Sequence, residues 1–208
     1  MTSVDFKPGT DGRWKRSART HAAIIDAWLE LIQSGDLAPT AKSVADRARI
    51  GLRTVFQHFT DMNALHGAAG EEFISRLAPC AAHIRGDLPM VERMELLVAD
   101  RSKLFEAVTM VRRSCERQEW MSVDVHGVIQ RWERAGAQDT ARVFAAELDL
   151  LPDEQRMIQT LAINAVISWS TWNHLRARCV LSTEDARAVM LRSLTSLLPT
   201  ARQVADAA

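Results

Sequence analysis

Arg53, Thr54, Gln57 and His58 are the residues of this sequence whose types and spacing point most directly to chemistry. The apolar positions around them, Val55 and Phe59, leave these four pointing outward from one short helix, and all four can hydrogen-bond. An arginine can pair with guanine O6 and N7, and a glutamine with adenine N6 and N7, so a polar, cationic face on an exposed short helix suits direct readout of base edges. Arg53 and Gln57 are the candidates for that readout. Catalysis lacks a comparable constellation: there is no Gly-rich phosphate loop, no nucleophile elbow, and no Cys and His pair at metal-ligand spacing. Glu71 and Glu72 are adjacent, which on a helix turns them about 100° apart and away from shared acid and base work. No cofactor, metal or catalytic residue is therefore expected. An all-α enzyme and a helical interaction protein without DNA affinity stand as the alternatives.

The elements that must position these residues can be read from Thr40 to Phe59. Thr40 suits the N-cap of a helix running through Ala48, and Gly51 can open a second ending near His58. Two short helices crossing steeply need a small residue at their approach, which Ala45 supplies, and apolar inner faces, which Val44, Ala48, Ile50, Val55 and Phe59 supply. Ahead of them Ile24, Ile25, Trp28, Leu31 and Ile32 form one stripe of a helix expected over 17–34, with Gly35 as its stop signal. Residues 1–12, polar with Pro8, Gly9 and Gly12, read as a disordered arm. A longer helix should start near Asp61 and run to Pro79 or Gly86, joining the two halves. Beyond Pro89 the spacing predicts helices over 90–106, 107–119, 123–147, 153–178 and 183–198, the last opened by a capping box at Ser182 and Asp185. The fold class is all-α, a helix-turn-helix followed by a helical bundle.

Composition is that of a water-soluble globular chain, 47% hydrophobic and 25% charged over 208 residues. No apolar run reaches the roughly 18 residues that span a bilayer and the start lacks a secretory signal, so a cytoplasmic location is expected. Cys80, Cys115 and Cys179 are too widely spaced for a disulfide framework and read as reduced, mostly buried thiols. The net charge is +0, and up to residue 66 nine Lys and Arg face seven Asp and Glu, an excess too slight to identify a nucleic-acid binder by itself.

Order and spacing say more than charge. IIDAWLELI at 24–32, T-x-x-x-V-A-x-x-A at Thr40–Ala48, T-V-F-x-H-F at Thr54–Phe59 and D-x-x-A-L at Asp61–Leu65 together closely resemble the tetracycline-repressor (TetR) family of bacterial regulators. The resemblance covers about the first third of the chain. It implies a DNA-binding domain over 1–66, in which the helix from Gly51 to His58 enters the major groove and Thr54, Phe56 and His58 touch DNA. Thr40 lies where a backbone phosphate is usually met, and Lys42 and Arg16 complete the DNA-binding candidates. Three residues depart from the family pattern: Arg49 stands at a common turn glycine, Phe56 at a usual tyrosine, and Met62 at a frequent lysine. Arg49 would have to adopt a left-handed backbone, Phe56 loses a phosphate-binding hydroxyl, and Arg13, Lys15, Arg16 and Arg19 would carry more of the DNA affinity.

The resemblance further implies that residues 67–208 bind a small-molecule effector and form a homodimer through two C-terminal helices. Their counterparts carry Ile158, Leu161, Ala165, Trp169 and Trp172, then Val189, Met190, Leu194 and Leu197, each set at helical spacing. A two-fold dimer would read two half-sites of a double-stranded operator. Trp120 and Trp169, the polar Asn164, His126 and His174, and nearby Met110 and Cys115 are the pocket candidates, because aromatics line apolar sites and buried polar groups need partners. Such an effector would shift the dimer toward a spacing that fits the operator poorly and so relieve repression.

Overall fold

A computed structural model of the protein describes residues 10–77, 83–117, 119–120 and 122–198, and every regular element among them is helical. The helices are α1 (Thr10–Gln33), α2 (Ala41–Ala48), α3 (Leu52–His58), α4 (Met62–Leu77), α5 (Met90–Glu116), α6 (Val123–Val143), α7 (Ala145–Leu148), α8 (Asp153–Val166), α9 (Trp169–Asn173) and α10 (Thr183–Leu197), with a π-helical turn at His174–Arg178. None is long and apolar enough to cross a membrane, and no cluster of three His, Cys, Asp or Glu among the described residues could hold a metal. The chain forms two compact units, one of residues 1–76 with 110–128, the other of 77–109 with 129–208.

In the first unit the predicted stripe of α1 is the core: Ile24, Trp28 and Ile32 are fully buried. Val44 and Ala45 of α2, Val55 of α3 and Leu65, Ala69 and Phe73 of α4 are buried with them. Asp61 starts α4 as expected, its Oδ1 accepting the Ala64 N–H at 2.9 Å. The first helix begins earlier than residue 17. Arg13, Lys15, Arg16 and Arg19 therefore project from the opening turns of α1 rather than from an arm, and residues 10–12 of the expected arm are helical too. The rest of that arm, 1–9, lies outside the described residues. The end of α5 returns to this unit, where the Ser114 hydroxyl donates to the Leu37 carbonyl at 2.9 Å.

The second unit is tied by buried arginines. Arg93 on α5 donates to the Leu88 and Val143 carbonyls and to Glu147 of α7, and Arg101 pairs with Asp139 of α6 at 2.9 Å. Each guanidinium is shielded from water, so its carboxylate and carbonyl partners replace lost hydration.

Three of the predicted helices or helix pairs differ from expectation. Nothing breaks the chain at 106–107, where no Gly or Pro stands, and the predicted pair of helices is the single α5. The predicted helix over 153–178 is instead interrupted at Ile167 and Ser168, the latter extended at φ −83°, ψ 157°. Ser168 caps α9 by accepting the Thr171 N–H at 3.1 Å, and the Thr171 hydroxyl donates to the Ala165 carbonyl at 2.6 Å. Hydroxyl side chains here take the backbone groups that a continuous helix would use. The predicted helix over 123–147 likewise divides, into α6 and the short α7. The capping box of α10 is as expected, with Ser182 accepting the Asp185 N–H at 3.0 Å.

Candidate nucleic-acid interface

Thr40 is extended at φ −82°, ψ 157° and its Oγ1 accepts the Ser43 N–H at 3.1 Å, so α2 starts with a satisfied cap. At the other end Arg49 takes a left-handed backbone, φ 56° and ψ 44°. Its N–H and that of Ile50 donate to the Asp46 and Ala45 carbonyls at 3.2 and 3.0 Å, closing the helix end as a glycine would. The turn is tight enough that α3 starts three residues later, with extended Gly51 at its head.

Burial divides α3 along its length. Val55 is 1% exposed and, with Phe59 just beyond the helix, faces α2 and α1. Arg53 and Gln57, one turn apart, are exposed, and neither side chain makes a hydrogen bond or ion pair among the described residues. Thr54 and His58 are half-buried. His58 packs edge to face on His21 of α1, ring centroids 6.0 Å apart, and His21 lies 4.7 Å from the Phe59 ring. Phe56 is 49% exposed, as is Leu52 at 45%, a residue that its apolar type kept off the list of candidates. Ala48 and Ile50, expected on the inner faces, are half-buried at the edge of the pair.

The neighbouring helices α1 and α2 carry exposed cations. Lys42 is exposed and paired with Asp46 at 2.9 Å, and Arg47 reaches Glu30 at 3.4 Å. Arg13, Arg16 and Arg19 are exposed on α1 beside Trp14, itself 72% exposed. His21, on the following turn, contacts His58, so the cationic start of α1 leads away from the end of α3.

Solved structures share the fold. A transcriptional regulator from Rhodococcus sp. Rha1 matches with a TM-score of 0.65 at 14% identity, covering 88% of this chain and 95% of that one. A protein described as a TetR-family transcriptional regulator from Rhodococcus sp. gives 0.64 at 15% identity, with 87% and 100% covered. Another, from Mesorhizobium loti MAFF303099, gives 0.61 at 18%, with 88% and 96% covered. The chain has the TetR fold. No protein-family model matches its sequence, and no curated protein is similar to it in sequence.

In this TetR fold the pocket candidates are placed as follows. In the first unit Cys115 is buried and Met110 half-buried, while Trp120 is 91% exposed and His126 sits in solvent with Nδ1 3.3 Å from Glu119. Burial pushes the Cys115 thiol up to about 11, with Glu119 and Glu116 adding to the effect and Arg112 opposing it. In the second unit Trp169 is buried and its indole donates to Thr109 Oγ1 at 3.3 Å, Asn164 is half-buried, and His174 is exposed with Nε2 3.4 Å from Cys179 Sγ. Cys179 is thus exposed, contrary to the expectation of mostly buried thiols, and Cys80 lies outside the described residues. Two surface cavities are lined by other residues, one of about 430 Å³ between α1 and α4 around His21 and Glu72, one of about 590 Å³ between α5 and α10 around Glu95 and Arg187.

The dimer candidates separate in the same way. Ile158, Leu161, Ala165 and Val189 are exposed, whereas Trp172, Met190 and Leu194 are fully buried within their own unit and Leu197 is half-buried. Met157, 59% exposed, extends the exposed set.

Proposed function

We propose that the protein is a DNA-binding transcriptional regulator that acts as a homodimer, represses from an operator, and is released by a small-molecule effector. The observation that carries this reading is the outward face of α3, where Arg53 and Gln57 stand exposed one turn apart on a helix held by the Arg49 turn. Two unengaged side chains that can each make bidentate contacts to a purine are suited to the major groove, and the exposed cations of α1 and α2 to phosphates. Thr40, Lys42, Thr54, Phe56, His58 and Arg16 supply the flanking contacts. Residues 1–66 form the reading head, and 67–208 carry the effector site and the dimer face.

A second copy would dock on Met157, Ile158, Leu161 and Ala165 of α8 with Val189 of α10. These leave an apolar stripe in water on the two packed helices, which a two-fold partner would cover. Trp172, Met190 and Leu194 are fully buried within the same unit and are left out of that face. Release follows if the effector prefers a dimer whose two α3 helices no longer match the operator spacing.

The test is binding of the purified dimer to the DNA flanking its own gene, wild type against Arg53→Ala with Gln57→Ala, at two salt concentrations. Sequence-selective, salt-sensitive binding that the double variant loses is expected. A folded dimer that binds no such DNA, and selects none from randomised duplexes, would instead leave a helical interaction protein.

A further inference from the structure

The exposed surface of α3 has two ridges. At about 100° per residue, Arg53 and Gln57 fall on one line along the helix, opposite the buried Val55 and Phe59, and Leu52 with Phe56 form a line between the two, on the flank of the buried side. Nearly half of Leu52 and of Phe56 is exposed, while Val55 is sealed, so the apolar ridge is outside the core. The chain keeps two large apolar side chains in water, one turn apart, directly beside its two unengaged readout residues.

We infer that Leu52 and Phe56 read thymine, by packing against the C5-methyl groups of thymines adjacent to the purines that Arg53 and Gln57 contact. This rests on the DNA-binding reading and names what that site prefers. The thymine methyl is the one apolar group that the four bases present at the edge of the major groove; cytosine shows a bare ring edge in the same place. A protein partner fits less well, because two side chains on a short helix are far below the roughly 1,200 Å² that specific protein interfaces bury. The charge around the ridge favours a polyanion, with Arg53 adjoining it and Arg13, Arg16 and Arg19 exposed on the same unit. Phe56 also lacks the hydroxyl through which a tyrosine would bind phosphate, which leaves its ring free for a base edge.

The experiment selects a preferred duplex from a randomised pool with the full-length wild-type protein. Each thymine of that duplex is then replaced singly by deoxyuridine, which removes the methyl and keeps the base pair. Dissociation constants are measured at fixed salt for wild type, Leu52→Ala and Phe56→Ala. Wild type should lose about fourfold at one or two thymines per half-site, the worth of one buried methyl. Each variant should bind the unmodified duplex more weakly, lose its sensitivity at one of those positions, and keep the wild-type salt slope, because no phosphate contact is removed. Both side chains are exposed, so both variants should keep the wild-type helical signal. Selected duplexes without a conserved thymine, or deoxyuridine sensitivity that survives in both variants, would overturn the inference while leaving DNA binding intact. Failure to select any duplex would overturn the DNA-binding reading and this inference with it.

Discussion

Gly67 on α4 stands so close to Asp124 on α6 that a Cβ built on it would lie 3.0 Å from the Asp124 Cβ. One turn on, a Cβ at Gly70 would lie 3.1 Å from Val128 Cγ1. The two glycines let the helices approach closely in the unit that carries α3. Alanine ordinarily gains about 1 kcal/mol over glycine inside a helix, but overpacking costs about 1–3 kcal/mol. Gly67→Ala should therefore lower stability in urea by about 1 kcal/mol. Gly12→Ala on α1, where a Cβ would meet nothing within 4 Å, should raise it by a few tenths. A stabilised Gly67→Ala would mean that α6 yields freely.

Arg49 carries the left-handed turn between α2 and α3 with a side chain in place. A non-glycine residue in that region costs about 1–2 kcal/mol, part of which glycine returns as greater freedom of the unfolded chain. Arg49→Gly should stabilise the protein by about 0.5–1 kcal/mol, read as a higher denaturant midpoint at unchanged slope. The same change at Arg47, within α2, should destabilise by about 1 kcal/mol.

These two sites also show what a sequence discloses. The spacing of Ala45, Ala48 and Val55 made a tight turn between two short helices legible, and the left-handed backbone at Arg49 followed only from the resemblance, which places a common turn glycine at that position. The stripe of α1 and the caps at Thr40, Asp61 and Ser182 were legible for a similar reason, since each is a local pattern. The break at Ser168 was not, because a serine is as compatible with a helix interior as with a cap, and the choice is made by Thr171 and Ala165. Leu52 was missed because apolar periodicity assigns leucine to the core, and its exposure depends on how α3 is rotated against α1 and α2. The apolar C-terminal stripes were visible as stripes, but which side of each faces its own unit is set by packing that spacing alone leaves open.

The thiols should differ in reactivity. Brief treatment of the native protein with iodoacetamide, followed by peptide mapping, should label Cys179 and spare Cys115 until the protein unfolds. Burial holds the Cys115 thiol protonated up to about 11, against an ordinary 9.0. A group raised on folding contributes stability that is complete below its unfolded value and is lost as pH rises through the folded one. Stability should thus fall by about 2–3 kcal/mol from pH 9 to 11 through this group, and Cys115→Ala should flatten that slope. The chain has no tyrosine, so no phenol titrates in this window. An unchanged slope in the variant would assign the alkaline loss to other groups.

Leu161, 62% exposed at the centre of the proposed dimer face, should decide the oligomeric state. In the isolated chain Leu161→Glu replaces one exposed side chain by another and should change the stability of the protomer by no more than about 0.5 kcal/mol. In a two-fold interface the same change places two carboxylates near the symmetry axis, each stripped of water and without a partner. Sedimentation should therefore show a dimer for wild type and a monomer for Leu161→Glu, with the helical signal unchanged. Operator affinity should fall at least tenfold in the variant, because a monomer holds a single half-site. Leu194→Ala, which empties a fully buried position of the same unit, should instead cost about 2–5 kcal/mol of stability. A Leu161→Glu protein that remains dimeric would move the interface away from α8.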